Sequence, residues 1–197
     1  MTGPPRGPDD IASHFDLIHR QPDPWSVRTS WYETRKAAIL LASLPDATYR
    51  LAWEPGCSIG GLTTQLAARC ERVVASDASP RALAAAAAAT DRLPNVELEV
   101  QVLPRDRPNL RPGSVDLVVF GEFLYYVPPD DIDAILDIAA DLLRTGGDLA
   151  CIHWRPRPHD GWQSGVEVNG QVAADTRWAD LVHHVDADFT LDVRRRR

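Results

Sequence analysis

With 197 residues, 44% hydrophobic and 25% charged, the chain has the composition of one globular domain plus a short extra element, which excludes a largely disordered polymer. Its formal charge of −7 speaks against a general nucleic-acid binder, which needs a basic face. The longest apolar stretch, Ala82 to Ala89, is eight residues against the about 20 of a membrane span, so no membrane partner is expected.

The N-terminal segment MTGPPRGPDD carries no apolar run of the secretory kind. The three cysteines, Cys57, Cys70 and Cys151, form neither a disulfide framework nor a metal-ligand pair. Both features point to a reducing cytoplasm. Lys36 is the only lysine, and every other cation is arginine. The terminal run Arg194 to Arg197 reads as a phosphate-binding patch or as a solvated tail, and charge runs at chain ends favour the tail.

Residues 1–8 hold three prolines and two glycines and are expected to form a disordered tail. From Asp9 to Arg20, Ile11, Phe15 and Ile18 recur at the spacing of a short amphipathic helix, which Gln21-Pro22-Asp23-Pro24 breaks. Ser30 and Glu33 have the spacing of a capping box, opening a helix that runs to about Leu44 before Pro45. The pattern then alternates: strand Tyr49–Trp53, helix Leu62–Cys70, strand Val73–Ser76, and a helix capped at Ser79-Pro80 and propagated by Ala82–Thr90. Val96, Leu98, Val100 and Val102 alternate with Glu97, Glu99 and Gln101, the mark of an edge strand with one wet face.

After the proline-rich loop Pro104 to Gly113, Val115–Phe120 reads as a central strand interrupted only by Asp116. A helix over Asp130–Arg144 ends at Gly146-Gly147, and Leu149–Trp154 returns as a buried strand. A weak helix near Gly170–Asp175 precedes strands Trp178–Val185 and Phe189–Val193, joined by a hairpin at Asp186-Ala187-Asp188. Such repeated strand–helix units predict a mostly parallel seven-stranded α/β sheet with helices on both faces and a C-terminal antiparallel hairpin strand. Residues 9–197 form one domain in this reading, with 9–45 as an N-terminal helical lid segment and 46–197 as the core.

In such sheets ligands sit beyond the carboxyl ends of the strands, beside the first one. There Glu54-Pro55-Gly56-Cys57-Ser58-Ile59-Gly60-Gly61 makes a glycine-containing strand–helix turn, and Asp77 ends the second strand 17 residues after Gly60. An acid at that place can accept hydrogen bonds from both hydroxyls of a ribose. A nicotinamide fingerprint requires a glycine where Ser58 stands, and Glu54 would repel a pyrophosphate. Two acids suit a cationic nucleoside instead. Gly56-Cys57-Ser58-Ile59-Gly60 also spells a hydrolase nucleophile elbow, but it follows the first strand and no oxyanion segment precedes it.

The turn Glu54 to Gly60 with Asp77 resembles motif I and its following acid in class I S-adenosylmethionine-dependent methyltransferases, and Phe120-Gly121-Glu122-Phe123-Leu124-Tyr125-Tyr126 resembles their motif IV. More narrowly, Asp23-Pro24-Trp25, Thr29-Ser30-Trp31-Tyr32-Glu33, Gly56-Cys57-Ser58-Ile59-Gly60 and His153-Trp154-Arg155 resemble the NodS family, N-methyltransferases of nodulation-factor biosynthesis. The resemblance runs from about Phe15 to Val193. It implies a Rossmann-like sandwich, S-adenosylmethionine as cofactor and S-adenosylhomocysteine as product. Cofactor-binding residues would be Trp25, Tyr32, Arg35, Glu54, Gly56, Cys57, Ser58, Gly60, Asp77, Ala78, Leu103, Gly121 and Glu122. One departure is noted: Val102-Leu103-Pro104 offers no acid for the adenine, so contact there is apolar or through backbone.

The implied acceptor is a small molecule, an amine of an amino sugar or oligosaccharide, with an O-methyltransferase or a non-catalytic cofactor-binding domain as alternatives. Gly121-Glu122-Phe123-Leu124 is unlike the Asn/Asp-Pro-Pro-Tyr block of amino-methylating DNA enzymes. Glu122 and His153 are the candidate catalytic residues: Glu122 faces either substrate or solvent, and His153 is either a base or a hydrogen-bonded structural group. Tyr125, Tyr126 and Trp154 are the candidate substrate wall. Trp25, Tyr32 and Arg35 either close over the cofactor or pack a helix on the sheet edge. His159, His183 and His184 show no metal-ligand spacing.

Overall fold

Strands that are apolar on both sides must be covered on both sides. The computed structural model, which describes residues 3–197, meets that requirement with one sheet and helices on its two faces. The strands are β1 (Tyr49–Pro55), β2 (Cys70–Asp77), β3 (Val96–Val100), β4 (Val115–Gly121), β5 (Leu143–Trp154), β6 (Trp178–Val185) and β7 (Phe189–Arg196), in the order β3-β2-β1-β4-β5-β7-β6. β1, β2, β3, β4 and β5 pair in parallel, and β7 pairs antiparallel with both β5 and β6. The helices are α1 (Pro8–Ile18), α2 (Trp31–Ser43), α3 (Gly61–Ala67), α4 (Pro80–Ala89), α5 (Pro129–Leu142) and α6 (Gly165–Ala174), with a single 3-10 turn at Leu124–Tyr126. The chain therefore has the expected α/β sandwich with its C-terminal hairpin.

β4 shows how the two cores are divided. Val118 and Phe120 point into one, with Trp53, Ile132, Ile135 and Leu136, while Leu117 and Val119 point into the other, with Leu40, Leu66 and Leu83. Asp116, the polar interruption of that run, is buried and accepts from Leu51 N (3.0 Å) and Arg144 Nε (2.6 Å). Asp148 on β5 is fully buried and accepts from Tyr49 Oη (2.9 Å) and Arg195 Nε (2.9 Å). These two acids join strands near their amino ends and have no room for a ligand.

Several local expectations change. Arg194, Arg195 and Arg196 belong to β7 and are not a solvated tail: Arg194 pairs with Asp180 (2.5 Å) and Arg195 with Asp148, and the Arg196 guanidinium donates to Leu143 O. Helix α6 starts five residues before Gly170, because Ser164 and Glu167 form a complete capping box. Ser30 does cap α2, yet makes no side-chain bond to it, because the Glu33 carboxylate is taken by Lys36 Nζ (2.8 Å). β3 ends at Val100, which is exposed, and the departing chain buries Gln101 instead. Of the expected tail, Met1 and Thr2 lie outside the described residues, whereas Pro5 is buried and its carbonyl accepts from Trp162 Nε1 (2.8 Å). No helix among the described residues is long and apolar enough to cross a membrane.

Removing one partner of a buried ion pair leaves the other without compensation. Asp148→Ala is expected to lower unfolding stability by about 2–3 kcal/mol in urea titration, since it strands the Tyr49 hydroxyl as well as Arg195. A change below about 0.5 kcal/mol would mean that the pair does not hold β5 to β7.

Candidate active site

The carboxyl ends of β1, β2 and β4 open into a cavity of about 1300 Å³, roofed by α1 and the segment leading to α2. Its floor is the turn after β1. Gly56 has φ +74° and lies against the residues after β4: a Cβ there would come within 2.8 Å of Phe123 Cβ. Ser58 also takes a left-handed conformation, with φ +50°. Its amide is held by Asp77, whose carboxylate accepts from Ser58 N (2.8 Å) and Ser79 N (2.9 Å). Each Asp77 oxygen keeps a further lone pair for a ligand. Burial raises the pKa of Asp77 against the opposing pull of these amides and of His19.

Glu54 lies beside it and is almost fully buried, with Oε2 lacking any hydrogen-bond partner among the described residues. Burial, with the Asp77 charge adding to it, pushes its pKa up to about 8. An unpartnered buried carboxyl next to a second carboxylate is a receptor for a cation that also carries hydroxyls. A phosphate would meet only repulsion there.

Glu122, just past β4, is the most heavily hydrogen-bonded side chain of the cavity. Its Oε1 accepts from Tyr32 Oη (2.7 Å) and Lys36 Nζ (2.7 Å), and its Oε2 accepts from Trp154 N (2.8 Å) and the Tyr125 hydroxyl. These four donors occupy about all the lone pairs that a carboxylate offers. Burial alone would raise its pKa, but Lys36, His153 and the Trp154 amide outweigh it and hold the carboxyl below the usual range. Glu122 therefore faces neither open solvent nor a free substrate position: it is an anion that organises its neighbours. Its φ of +57° is unfavourable for a residue with a Cβ and persists because those four bonds fix it.

His153 does not reach the cavity. It is fully buried; Nδ1 donates to Asn169 Oδ1 (2.8 Å), and Nε2 accepts from Leu124 N (3.3 Å). Burial pulls its pKa down to about 4, so the ring is neutral with both nitrogens engaged. Of the two readings for this residue, the geometry fits the hydrogen-bonded structural one. Arg35 also turns away, pairing with Asp186 (2.5 Å) and lying over the Phe189 ring at 5.2 Å, outside the cavity. The remaining expected residues come together: Trp25, Tyr32, Glu54, Gly56, Cys57, Ser58, Gly60, Asp77, Ala78, Leu103, Gly121 and Glu122 line the cavity, as do Tyr125, Tyr126 and Trp154.

Several cavity residues were absent from the sequence reading. Ile11, His14, Phe15 and Ile18 form the inner stripe of α1, so the apolar spacing that marked the helix also marked the cavity roof. His14 falls on that stripe at the i+3 place, which was a usable signal. His19 donates from Nδ1 to Phe15 O (2.9 Å) and accepts at Nε2 from the Ser58 hydroxyl (3.1 Å), tying α1 to the turn. Lys36, conspicuous as the sole lysine, is buried between Glu33 and Glu122 and lies 4.7 Å from the Tyr32 ring centre. Gln101 lines the cavity with a buried Oε1 that has no partner among the described residues.

Lys36→Met is expected to cost about 2–3 kcal/mol of stability, because two carboxylates lose their shared cation. A carboxyl held below its ordinary range contributes stability above that range and loses it as pH falls through the native value. In the variant this loss should begin at a higher pH than in the wild type, read from thermal melts between pH 3 and 7. Superimposable pH profiles would remove Lys36 from this role.

Comparison with known proteins gives the site its context. A family described as a methyltransferase domain matches residues 53–147, which hold the glycine turn, Asp77 and Glu122. Nodulation protein S of Sinorhizobium fredii is 30% identical over 188 residues, covering 93% of this chain and 81% of that protein. Nodulation protein S of Rhizobium tropici is 29% identical over 194 residues, covering 95% and 76%. The crystal structure of N-methyltransferase NodS from Bradyrhizobium japonicum WM9 in complex with S-adenosyl-L-homocysteine superposes with a TM-score of 0.81 at 21% identity, over 94% of this chain and 98% of that one. With fold, turn and paired acids all in place, the chain belongs to the nodulation protein S family of S-adenosylmethionine-dependent methyltransferases.

Proposed function

We propose that the crevice holds S-adenosylmethionine across Glu54 and Asp77 and methylates an amine of a small acceptor, an amino sugar or oligosaccharide, at the end walled by Tyr125, Tyr126 and Trp154. The observation that carries this reading is the orphaned buried oxygen of Glu54 beside the Asp77 carboxylate. Asp77 has lone pairs left for two ribose hydroxyls, and Glu54 supplies the counter-charge for an α-ammonium. Ala78 and Leu103 offer apolar contact for the adenine, and the free Gln101 oxygen is an acceptor for its exocyclic amine. Gly56, where a side chain would collide with Phe123, with Cys57, Ser58, Gly60 and Gly121, lets the backbone approach the ligand. Trp25 and Tyr32, with the inner face of α1, cover it, so that residues 9–45 act as a lid on the core of the same domain.

Bound S-adenosylmethionine supplies an electrophilic methyl group on a sulfonium. What the protein contributes is position and charge. Glu33, Glu54, Asp77, Glu122 and Asp160 border the cavity against the cations Lys36, Arg28 and Arg157. That acidic balance favours an acceptor that arrives as an ammonium. Glu122 has its role here through the groups it holds: it fixes the Tyr32 and Tyr125 hydroxyls where an acceptor amine would lie. The buried free thiols of Cys57, Cys70 and Cys151 agree with a cytoplasmic location.

Calorimetry with S-adenosylhomocysteine tests the cofactor half. Asp77→Ala should weaken binding about tenfold or more, the loss of one or two good hydrogen bonds. An ammonium next to Glu54 requires its ionised form, so affinity should rise and a proton should be released as pH increases from about 6 towards 8. Glu54→Gln should abolish that dependence. PH-independent affinity in the wild type would contradict the placement of Glu54. A screen with methyl-labelled cofactor against glucosamine, partially deacetylated chitooligosaccharides and their hydroxyl counterparts tests the acceptor half; transfer confined to hydroxyls would overturn the amine reading.

A further inference from the structure

The amine reading leaves a chemical gap. An ammonium has no lone pair, so the acceptor must give up a proton before it can attack. The two residues first considered for that task are closed to it: His153 has both nitrogens bonded in the core, and the Glu122 carboxylate is filled by four donors. His19 is likewise bonded at both nitrogens.

His14 is differently placed. It lines the cavity from α1, and its Nε2 lies 2.8 Å from Asp160 Oδ2, a residue 146 positions away in the segment between β5 and α6. Both side chains are largely buried, at 12% and 8% exposure. With Nε2 donating to the carboxylate, Nδ1 carries the lone pair, and no hydrogen bond engages it among the described residues. The ring is set edge-on against Phe15 at 5.1 Å, and Phe15 in turn meets Tyr126 at 5.0 Å, so the pair stands at the acceptor wall. A carboxylate that fixes an imidazole tautomer and steadies the imidazolium is the arrangement that makes histidine an effective base. The charged and titratable groups around it are Asp160 itself, His159 (3.6 Å from the other Asp160 oxygen), Tyr126 and Arg157.

We propose that His14 is the proton acceptor of the methyl transfer and that Asp160 is its positioning residue, a role that rests on the amine reading. His14 Nδ1 takes a proton from the acceptor ammonium, freeing the nitrogen lone pair. As the nitrogen–carbon bond forms, the carbon–sulfur bond of the sulfonium breaks and its electron pair stays on sulfur, giving S-adenosylhomocysteine and a methylated ammonium. The proton rests on the His14 imidazolium, paired with Asp160, until solvent removes it. Because His14 rides on α1 and Asp160 on the core, the base is complete only with the helix seated.

The test uses the full chain with glucosamine and partially deacetylated chitooligosaccharides as acceptors. His14→Gln should lower kcat about a hundredfold while S-adenosylhomocysteine affinity stays within about threefold. Imidazole added to His14→Gly should restore part of the lost turnover, which a merely structural role would not allow. Asp160→Asn should lower kcat about tenfold with little change in KM, and Asp160→Glu should recover part of it. Unchanged kcat in His14→Gln, or a loss that imidazole does not rescue and that cofactor affinity shares, would overturn the proposal.

If no amine is methylated by the wild type, the amine reading fails, and the dyad is decided separately by diethylpyrocarbonate labelling. His14 should be modified, and S-adenosylhomocysteine with acceptor analogue should protect it. A His14 that stays unlabelled while the exposed His159 and His183 react would overturn the open nitrogen on which the proposal depends.

Discussion

A single carboxylate, that of Glu122, joins parts of the chain that have no other reason to meet. Its four donors come from α2, from the 3-10 turn after β4 and from the end of β5. Charge-assisted hydrogen bonds of this kind are each stronger than neutral ones, and together they offset both the desolvation of the anion and a left-handed backbone that costs on the order of 1–3 kcal/mol. Seating Lys36 there also explains why one lysine stands in a chain otherwise served by arginine: a compact ammonium fits between two carboxylates and under a tyrosine ring, where a planar guanidinium fork would not.

The sheet separates its buried acids by task. Asp116 and Asp148, near the amino ends of their strands, are consumed by arginines and backbone amides and hold strands together. Glu54 and Asp77, at the carboxyl ends, are left with unspent acceptor capacity facing a cavity. Burial without full compensation is costly, and that cost is what makes a matching cation bind. A parallel sheet forces this asymmetry, since each strand delivers its last residue to the same rim.

Much of this was readable from the residues. The strand–helix alternation, the glycine turn and Asp77 are local patterns, and local patterns survive folding. What escaped depends on distant partners. Ser30–Glu33 and Ser164–Glu167 share one spacing, yet only the second closes into a capping box, because Lys36 draws Glu33 away. His153 stands at its expected strand end, but Asn169 from a helix under-read in the sequence occupies it. Gln101 was assigned to the wet face by strict alternation, and the chain leaves the strand one residue earlier than alternation assumes. The inner stripe of α1 was seen as ordinary core-facing pattern, whereas here it covers a cavity.

The account therefore places the order of the acceptor end in the Glu122 cluster and not in the sheet alone. Hydrogen–deuterium exchange read by mass spectrometry on wild type and Glu122→Gln compares the two directly. The account predicts that amides of α2 and of residues 124–126 lose protection by about tenfold or more while those of β1 and β4 are unchanged. Equal protection of α2 in the two proteins would contradict it.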